Sequence, residues 1–108
     1  MPQYLISFPS SAMKVSAEDL PEVSRAANAV VDEMIAAGVL RSAGGLDEDV
    51  PPVLVAADGT VSHDTYPETR DLDGGMTVIE VDSRHEAEQW AAKVAAACRC
   101  DQELRELF

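Results

Sequence analysis

The 108-residue sequence predicts an α+β domain, because short apolar runs bounded by turn residues alternate with two long stretches of helical apolar spacing. The elements follow the order β-α-β, a hairpin insertion, and β-α-β. Two such units around one sheet describe the ferredoxin-like split βαβ arrangement, with both helices on one face. The length predicts a single domain over residues 1–108.

Local signals mark the first strand and the first helix. Tyr4 to Phe8 is an apolar run closed by Pro9, so we expect a buried strand. Ser16 and Asp19 are each followed by an acid three positions later, which is typical of a helix N-terminus, and helix 1 is expected to begin near one of them. Gly38 supplies a left-handed stop. The predicted inward stripe between these ends is Val23, Ala27, Val30, Val31 and Met34.

The middle of the chain predicts a strand, a hairpin and a long loop. Val39 to Ala43 is the second strand of the main sheet. Asp58-Gly59 is the strongest hairpin signal, and the flanking strands are expected at Val53–Ala57 and Thr60–Ser62. Residues 63–75 are polar and aperiodic, so we expect a loop of the length that is often functional.

The last third of the chain gives the clearest signals. Met76 to Val81 is rich in β-branched residues and predicts a strand. Ser83 and Glu86 form a capping box that opens helix 2. Gln102 to Phe108 alternates weakly, and we assign it as a final strand.

The predicted layout leaves one apolar sheet face without helices. A core rich in alanine buries little area, which favours additional cover from a partner. The simplest cover for a chain of this length is an identical chain, so we expect a symmetric homodimer with its sheets face to face.

Charge and composition exclude several partners. Twenty acidic and eight basic residues give a net charge of −12, which disfavours nucleic acid and anionic membranes. No apolar stretch is long enough to span a bilayer and the N-terminus lacks the pattern of a signal peptide, so the expected location is cytoplasmic. Cys98 and Cys100 are separated by one residue, which predicts two reduced thiols.

No motif indicates a cofactor or a metal ion. Gly44-Gly45 and Gly74-Gly75 lack the spacing of phosphate-binding loops, so we attribute both pairs to positive φ or close backbone approach. The acidic run Asp47–Asp49 lacks the calcium-loop pattern.

Six segments, taken in order, resemble the YCII-related domain family, especially its branch with an Asp-Gly-Pro-Phe or Asp-Gly-Thr-Tyr signature. These segments are Ala36–Leu40, Gly44–Asp47, Asp58–Val61, Thr65–Arg70, Gly74–Gly75 and Glu88–Lys93. The resemblance extends from the first strand to the Cys98–Cys100 region. It implies a ferredoxin-like fold, a dimeric α/β barrel and a pocket between the sheet and the long loop.

The family often carries a histidine in the first helix and an aspartate at the start of the signature, a pair proposed for acid–base chemistry. Here the helix position is Asn28. His63 takes the aspartate's place in an ungapped comparison, and Asp64 takes it after a one-residue gap. The resemblance therefore implies His63 or Asp64 as an acid/base residue, and a solvated strand end is the alternative.

The ligand-binding residues predicted around this pair are Asn28, Gly45, Asp47, Tyr66, Glu68 and Arg70. The alternatives are a buried ring for Tyr66 and a surface ion pair for Glu68 and Arg70. Two hypotheses follow. The first is an acid/base enzyme, a lyase or hydrolase of a small polar substrate. The second is a ligand-binding or regulatory module that lost the His/Asp dyad. Acids on the loops disfavour a strongly anionic ligand unless Arg41 or Arg70 turns inward.

Overall fold

A computed structural model describes residues 1–108, with six strands and two α-helices. The strands are β1 (Gln3–Phe8), β2 (Leu40–Gly45), β3 (Leu54–Val55), β4 (Val61–Ser62), β5 (Gly75–Glu80) and β6 (Glu103–Glu106). The helices are α1 (Leu20–Ala36) and α2 (Arg84–Cys98). Four strands form one sheet in the order β2-β5-β1-β6, and every neighbouring pair is antiparallel. This order confirms the predicted α+β, ferredoxin-like fold.

The hairpin lies where Asp58-Gly59 predicts it, but its strands have two residues each and form a separate two-stranded ribbon. Gly59 adopts a φ of 91°, and the Asp58 Oδ1 atom accepts a hydrogen bond from the Thr60 amide at 2.9 Å. The turn is therefore well specified. The strands stay short because no other strand pairs with the ribbon.

The two helices begin differently. The Ser83 hydroxyl accepts a hydrogen bond from the Glu86 amide at 3.2 Å, which confirms the predicted cap of α2. Asp19 precedes α1 but makes no side-chain cap, and its carboxylate instead accepts a hydrogen bond from Arg99 at 3.1 Å. The Ser16 hydroxyl accepts from the Asp19 amide, so it organises the turn before the helix.

One face of the sheet and the inner sides of both helices form the core. Tyr4 and Ile6 of β1 alternate with less buried neighbours, as do Thr77 and Ile79 of β5. This period of two directs each buried pair toward the helices. The core cluster consists of Tyr4, Ile6, Val30, Met34, Val39, Ile79, Val81, Ala87 and Ala91.

The opposite sheet face carries no helix and has an apolar centre with a balanced charged rim. The strand registers place Leu5, Met76 and Val78 on this bare face. A bulge in β2 displaces Arg41, whose guanidinium contacts Glu80 at 2.8 Å, and Arg105 pairs with Glu103 on β6 at 3.1 Å. The Gln3 amide also bonds Glu80, and together the Gln3 and Arg41 hydrogen bonds hold the pKa of Glu80 below its usual value. We call this surface the bare face.

Ion pairs tie the exposed sides of the helices together. Lys93 of α2 contacts Glu33 of α1 at 2.9 Å, and Arg99 contacts both Asp19 and Glu22. Arg99 follows α2 in the left-handed conformation, with a φ of 57°. Both helices fall short of the length and apolar character that a bilayer-spanning helix requires.

Adjacent residues of α1 offer a direct test of this packing. Met34 is 0% exposed and Ile35 is 59% exposed. We expect Met34→Ala to lower the free energy of unfolding by about 2–5 kcal/mol, because it leaves a cavity in the core. Ile35→Ala should change it by roughly 0.5 kcal/mol or less. Urea denaturation of both variants measures the difference, and equal losses would contradict the assignment of the inner face.

Candidate functional site

One cavity lies at the end of the core where β1 and β2 finish and β5 begins. Its volume is about 510 Å³, and it extends between the helix-covered sheet face and both helices. Strand residues Ile6, Phe8, Ala43 and Thr77 form part of one wall. The middle of α1 and the C-terminal half of α2 form the other, with Ala27, Asn28, Val30, Val31, Val94 and Cys98. We call this space the core cavity.

Glycines at the start of β5 let the chain close this end of the cavity. Gly74 has a φ of 89°, and a side chain there would collide with the Phe8 carbonyl oxygen and the Ser10 amide. A Cβ atom on Gly75 would lie 2.6 Å from the Phe8 ring. These positions confirm positive φ and close approach for the second glycine pair. The same explanation is wrong for Gly44-Gly45, which lie in extended β2 without such crowding.

Two carboxylates meet at Ser10 beside the core cavity. Asp73 accepts hydrogen bonds from the Ser10 amide and hydroxyl, both at 2.9 Å, and these bonds hold the pKa of Asp73 below its usual value. The Ser10 Oγ atom is also 2.9 Å from Glu48 Oε1. Since the hydroxyl carries one proton, the two carboxylates share it. Ser10 and Glu48 line the cavity, so this cluster forms part of its rim.

Neutral polar groups line the cavity where α2 ends. Burial and the neighbouring Cys100 raise the pKa of the Cys98 thiol, so it stays protonated and weakly nucleophilic at neutral pH. Burial likewise raises the pKa of Cys100, and both cysteines are free. The Gln102 amide donates to the Cys100 carbonyl at 3.3 Å, whereas its own oxygen is buried without a hydrogen-bond partner.

A second cavity of about 720 Å³ lies within the connection between β2 and β5. It is lined from two stretches of that connection, residues 46–53 and residues 65–73. Leu46 and Glu48 line both cavities and separate them. The core cavity lies mainly between the sheet and the helices, and only Gly74 and Gly75 of the predicted loop over residues 63–75 line it.

The structure divides the predicted pocket residues between the two cavities. Asn28 and Gly45 line the core cavity. Asp47 and Arg70 line the second cavity. Arg41, whose inward turn would have admitted an anion, points instead to Glu80. Asn28 and Arg70 are therefore not brought together.

The remaining candidates line neither cavity. His63 and Asp64 follow β4 and are exposed, and the Asp64 carboxylate accepts a hydrogen bond from the Thr65 amide at 2.8 Å. Tyr66 is 68% exposed, and Glu68 is exposed in the short helical turn that follows it. The catalytic role of the His63 and Asp64 pair, like the ligand-binding role of the others, stays a prediction.

Ser10, Glu48, Cys98 and Gln102 line the core cavity but were not among the predicted ligand-binding residues, and Glu48 was noted only as part of the acidic run Asp47–Asp49. They come from four separate segments and share no motif. Ser10 follows a proline at a strand end, and Glu48 lies in an acidic run, so each resembles an ordinary turn residue. No group of three or more His, Cys, Asp or Glu side chains is placed to hold a metal ion.

A comparison with family models identifies the domain. The model of the YCII-related domain matches residues 5–98, nearly the whole chain. The chain belongs to the YCII-related domain family. Assignment to the Asp-Gly-Pro-Phe branch of the YCII-related proteins stays a prediction. No curated protein matches this YCII-related chain significantly.

The Asp73 cluster predicts a pH-dependent contribution to stability. Because the pKa of Asp73 is lower in the folded than in the unfolded chain, its contribution is present above the ordinary aspartate pKa near 4 and is lost as pH falls through the folded value. We expect Asp73→Ala to melt below the wild type at pH 7, with the gap narrowing toward pH 3. Asp71→Ala, in an exposed neighbour, is the control. A difference in melting temperature between Asp73→Ala and the wild type that does not change with pH would contradict this role of the Asp73 carboxylate.

Proposed function

We propose that this YCII-related protein is a cytoplasmic homodimer whose core cavity binds a small, largely apolar molecule without negative charge. The observation that carries the proposal is the lining of that cavity. Eleven of its 20 lining residues are hydrophobic, and none is lysine, arginine or histidine. The proposal adopts the binding-module alternative that the sequence left open.

The size and chemistry of the core cavity suit a small ligand. Its volume of about 510 Å³ is within the range of typical ligand pockets, roughly 300–1,000 Å³. Apolar walls provide the driving force by removing ligand surface from water. Asn28 is exposed on the wall and offers both a donor and an acceptor, which suits one amide or hydroxyl group on the ligand.

The charges around the cavity select against anions. Glu48 is the one lining residue that carries a charge at neutral pH, since the Cys98 thiol stays protonated. An anion placed here would lose its hydration without gaining a cationic partner, and the Glu48 carboxylate would repel it. An uncharged ligand incurs neither cost.

Binding is better supported than acid–base catalysis. No histidine lines the core cavity, and the exposed pair His63 and Asp64 follows β4 in the insertion. A general acid or base must reach within hydrogen-bond distance of the reacting group. The catalytic hypothesis thus requires His63 or Asp64 to reach a ligand in the core cavity, although neither residue lines it.

Matched fluorescent probes test the cavity. N-phenyl-naphthylamine is uncharged, and anilinonaphthalene sulfonate adds a negative group to the same rings. We expect the uncharged probe to bind at least tenfold more tightly, as measured by fluorescence titration. Ala27→Phe, which fills the cavity wall, should weaken its binding at least tenfold. Ala29→Phe, an exposed substitution on the same helix and outside the cavity, should leave it unchanged.

His63→Ala and Asp64→Asn separate binding from catalysis. Both variants should bind the uncharged probe as the wild type does, because neither residue lines the core cavity. Equal probe binding by Ala27→Phe and the wild type would overturn the cavity assignment. If the wild type converts a metabolite, and either His63→Ala or Asp64→Asn abolishes that conversion, the enzyme hypothesis is restored.

The bare face supports the homodimer. The chain carries −12 overall, yet the two pairs on this face, Arg41–Glu80 and Arg105–Glu103, sum to no net charge. Two such faces can approach with little mutual repulsion. Between the pairs, Leu5, Val78 and Met76 supply an apolar strip of the kind that isologous dimers bury.

Analytical ultracentrifugation tests the dimer. We expect Val78→Glu to weaken dimerisation at least a hundredfold, because it puts a charge at the centre of the bare face. Ile35→Glu, on the exposed side of α1, is the matched control. The wild-type dimer should tighten as sodium chloride rises from about 20 mM to 500 mM, since salt screens the repulsion between two acidic chains. A wild-type monomer at micromolar concentrations would contradict the dimer.

A further inference from the structure

Residues 46–73, the connection between β2 and β5, extend from the core with many exposed apolar side chains. We call this segment the insertion arm. It contains the β3–β4 ribbon, which pairs with no strand of the main sheet. Its exposed large apolar residues are Leu46, Val50, Val53, Val55, Val61, Tyr66 and Leu72. A two-stranded ribbon alone is marginally stable in water, so this one needs packing that the rest of its own chain does not provide.

The dimensions of the protomer show how much surface is left uncovered. Its accessible surface is 7395 Å², whereas a folded monomer of 11.6 kDa exposes about 5,800 Å². The surplus is roughly 1,500 Å² per chain. The radius of gyration is 15.5 Å, against about 13 Å for a domain of this length. A stable interface buries about 800 Å² on each partner, so the surplus exceeds what one ordinary interface needs.

We propose that the insertion arm packs against a second copy of this chain and forms an interface in addition to the bare face. This inference rests on the proposed homodimer and assigns it a second contact surface. The arm's exposed valines, including the cross-strand pair Val55 and Val61, lie within that interface.

Two arguments identify the occupant as a second copy. The bare face has only three apolar residues, so sheet contact alone does not account for a surplus of roughly 1,500 Å². The β3–β4 ribbon also needs a surface to pack against whenever the chain is folded. A second copy of this chain is present whenever the chain itself is, so it can meet this requirement, and its binding would stabilise the folded chain.

Charge indicates which part of the second copy the arm contacts. The arm has eight acidic residues and one arginine, so it carries −7 of the chain's −12. Two arms in direct contact would repel each other strongly at low salt. The arm therefore meets the body of the partner, which is the less acidic part, and not the partner's arm.

The test uses the double variant Val55→Ser/Val61→Ser in the full chain. These side chains are 61% and 59% exposed in the single protomer, so the substitutions should barely change the fold of an isolated chain. We expect the dimer dissociation constant, measured by analytical ultracentrifugation, to rise at least tenfold. Ile35→Ser removes an equally exposed apolar side chain outside the arm and should leave the constant within twofold.

Isotope-filtered NMR on a mixture of labelled and unlabelled chains gives a second measurement. Methyl protons of Val55 and Val61 should show contacts to the other copy and none to the other copy's arm. A dimer with an unchanged dissociation constant and no such contacts would overturn the arm interface while leaving the bare-face dimer intact. A wild-type monomer would overturn both, and the fluorescent-probe titration would still test the cavity separately.

Discussion

The close approach between the end of β1 and the start of β5 is the constraint on which the cavity and the insertion arm both depend. Gly74 passes the Phe8 backbone with spacing that no side chain would allow, and Gly75 lies against the Phe8 ring, which would have to move to admit a side chain. Asp73 fixes the same crossing through two hydrogen bonds to Ser10. This contact lies in the wall of the core cavity and anchors the end of the insertion arm, so it connects the two regions for which we propose roles.

The excess negative charge is distributed unevenly, and the distribution matches the proposed roles. The arm carries most of it, the bare face is balanced by two ion pairs, and the core cavity has a single carboxylate without a cation. Under the proposed function, a chain with −12 would dimerise through its neutral surface, and its cavity would disfavour anionic ligands. The distribution of acidic residues therefore indicates which surfaces can form an interface, and it does not identify the partner.

Much of the fold could be predicted because its signals are local. The Ser83–Glu86 cap, the Asp58-Gly59 turn and the Met76–Val81 strand pattern each depend on a few neighbouring residues, and each lies close to its predicted place. The start of α1 was harder to assign because Ser16 and Asp19 both offer a capping signal, and only the structure shows that Arg99 engages the Asp19 carboxylate. Gly44-Gly45 were explained wrongly because two glycines in a strand look the same in sequence as two glycines in a turn.

The sequence by itself determined the fold class, the resemblance to the YCII-related domain, the two helices and the capping of α2, since periodicity and turn chemistry act over a few residues. Only the tertiary structure decided that Asn28 lines a cavity beneath the helices and that His63 and Asp64 lie outside it. It alone brought Ser10 together with Glu48 and Asp73. These contacts join residues 38 and 63 positions apart, and no local pattern encodes such a distance, because strand pairing and helix packing set it.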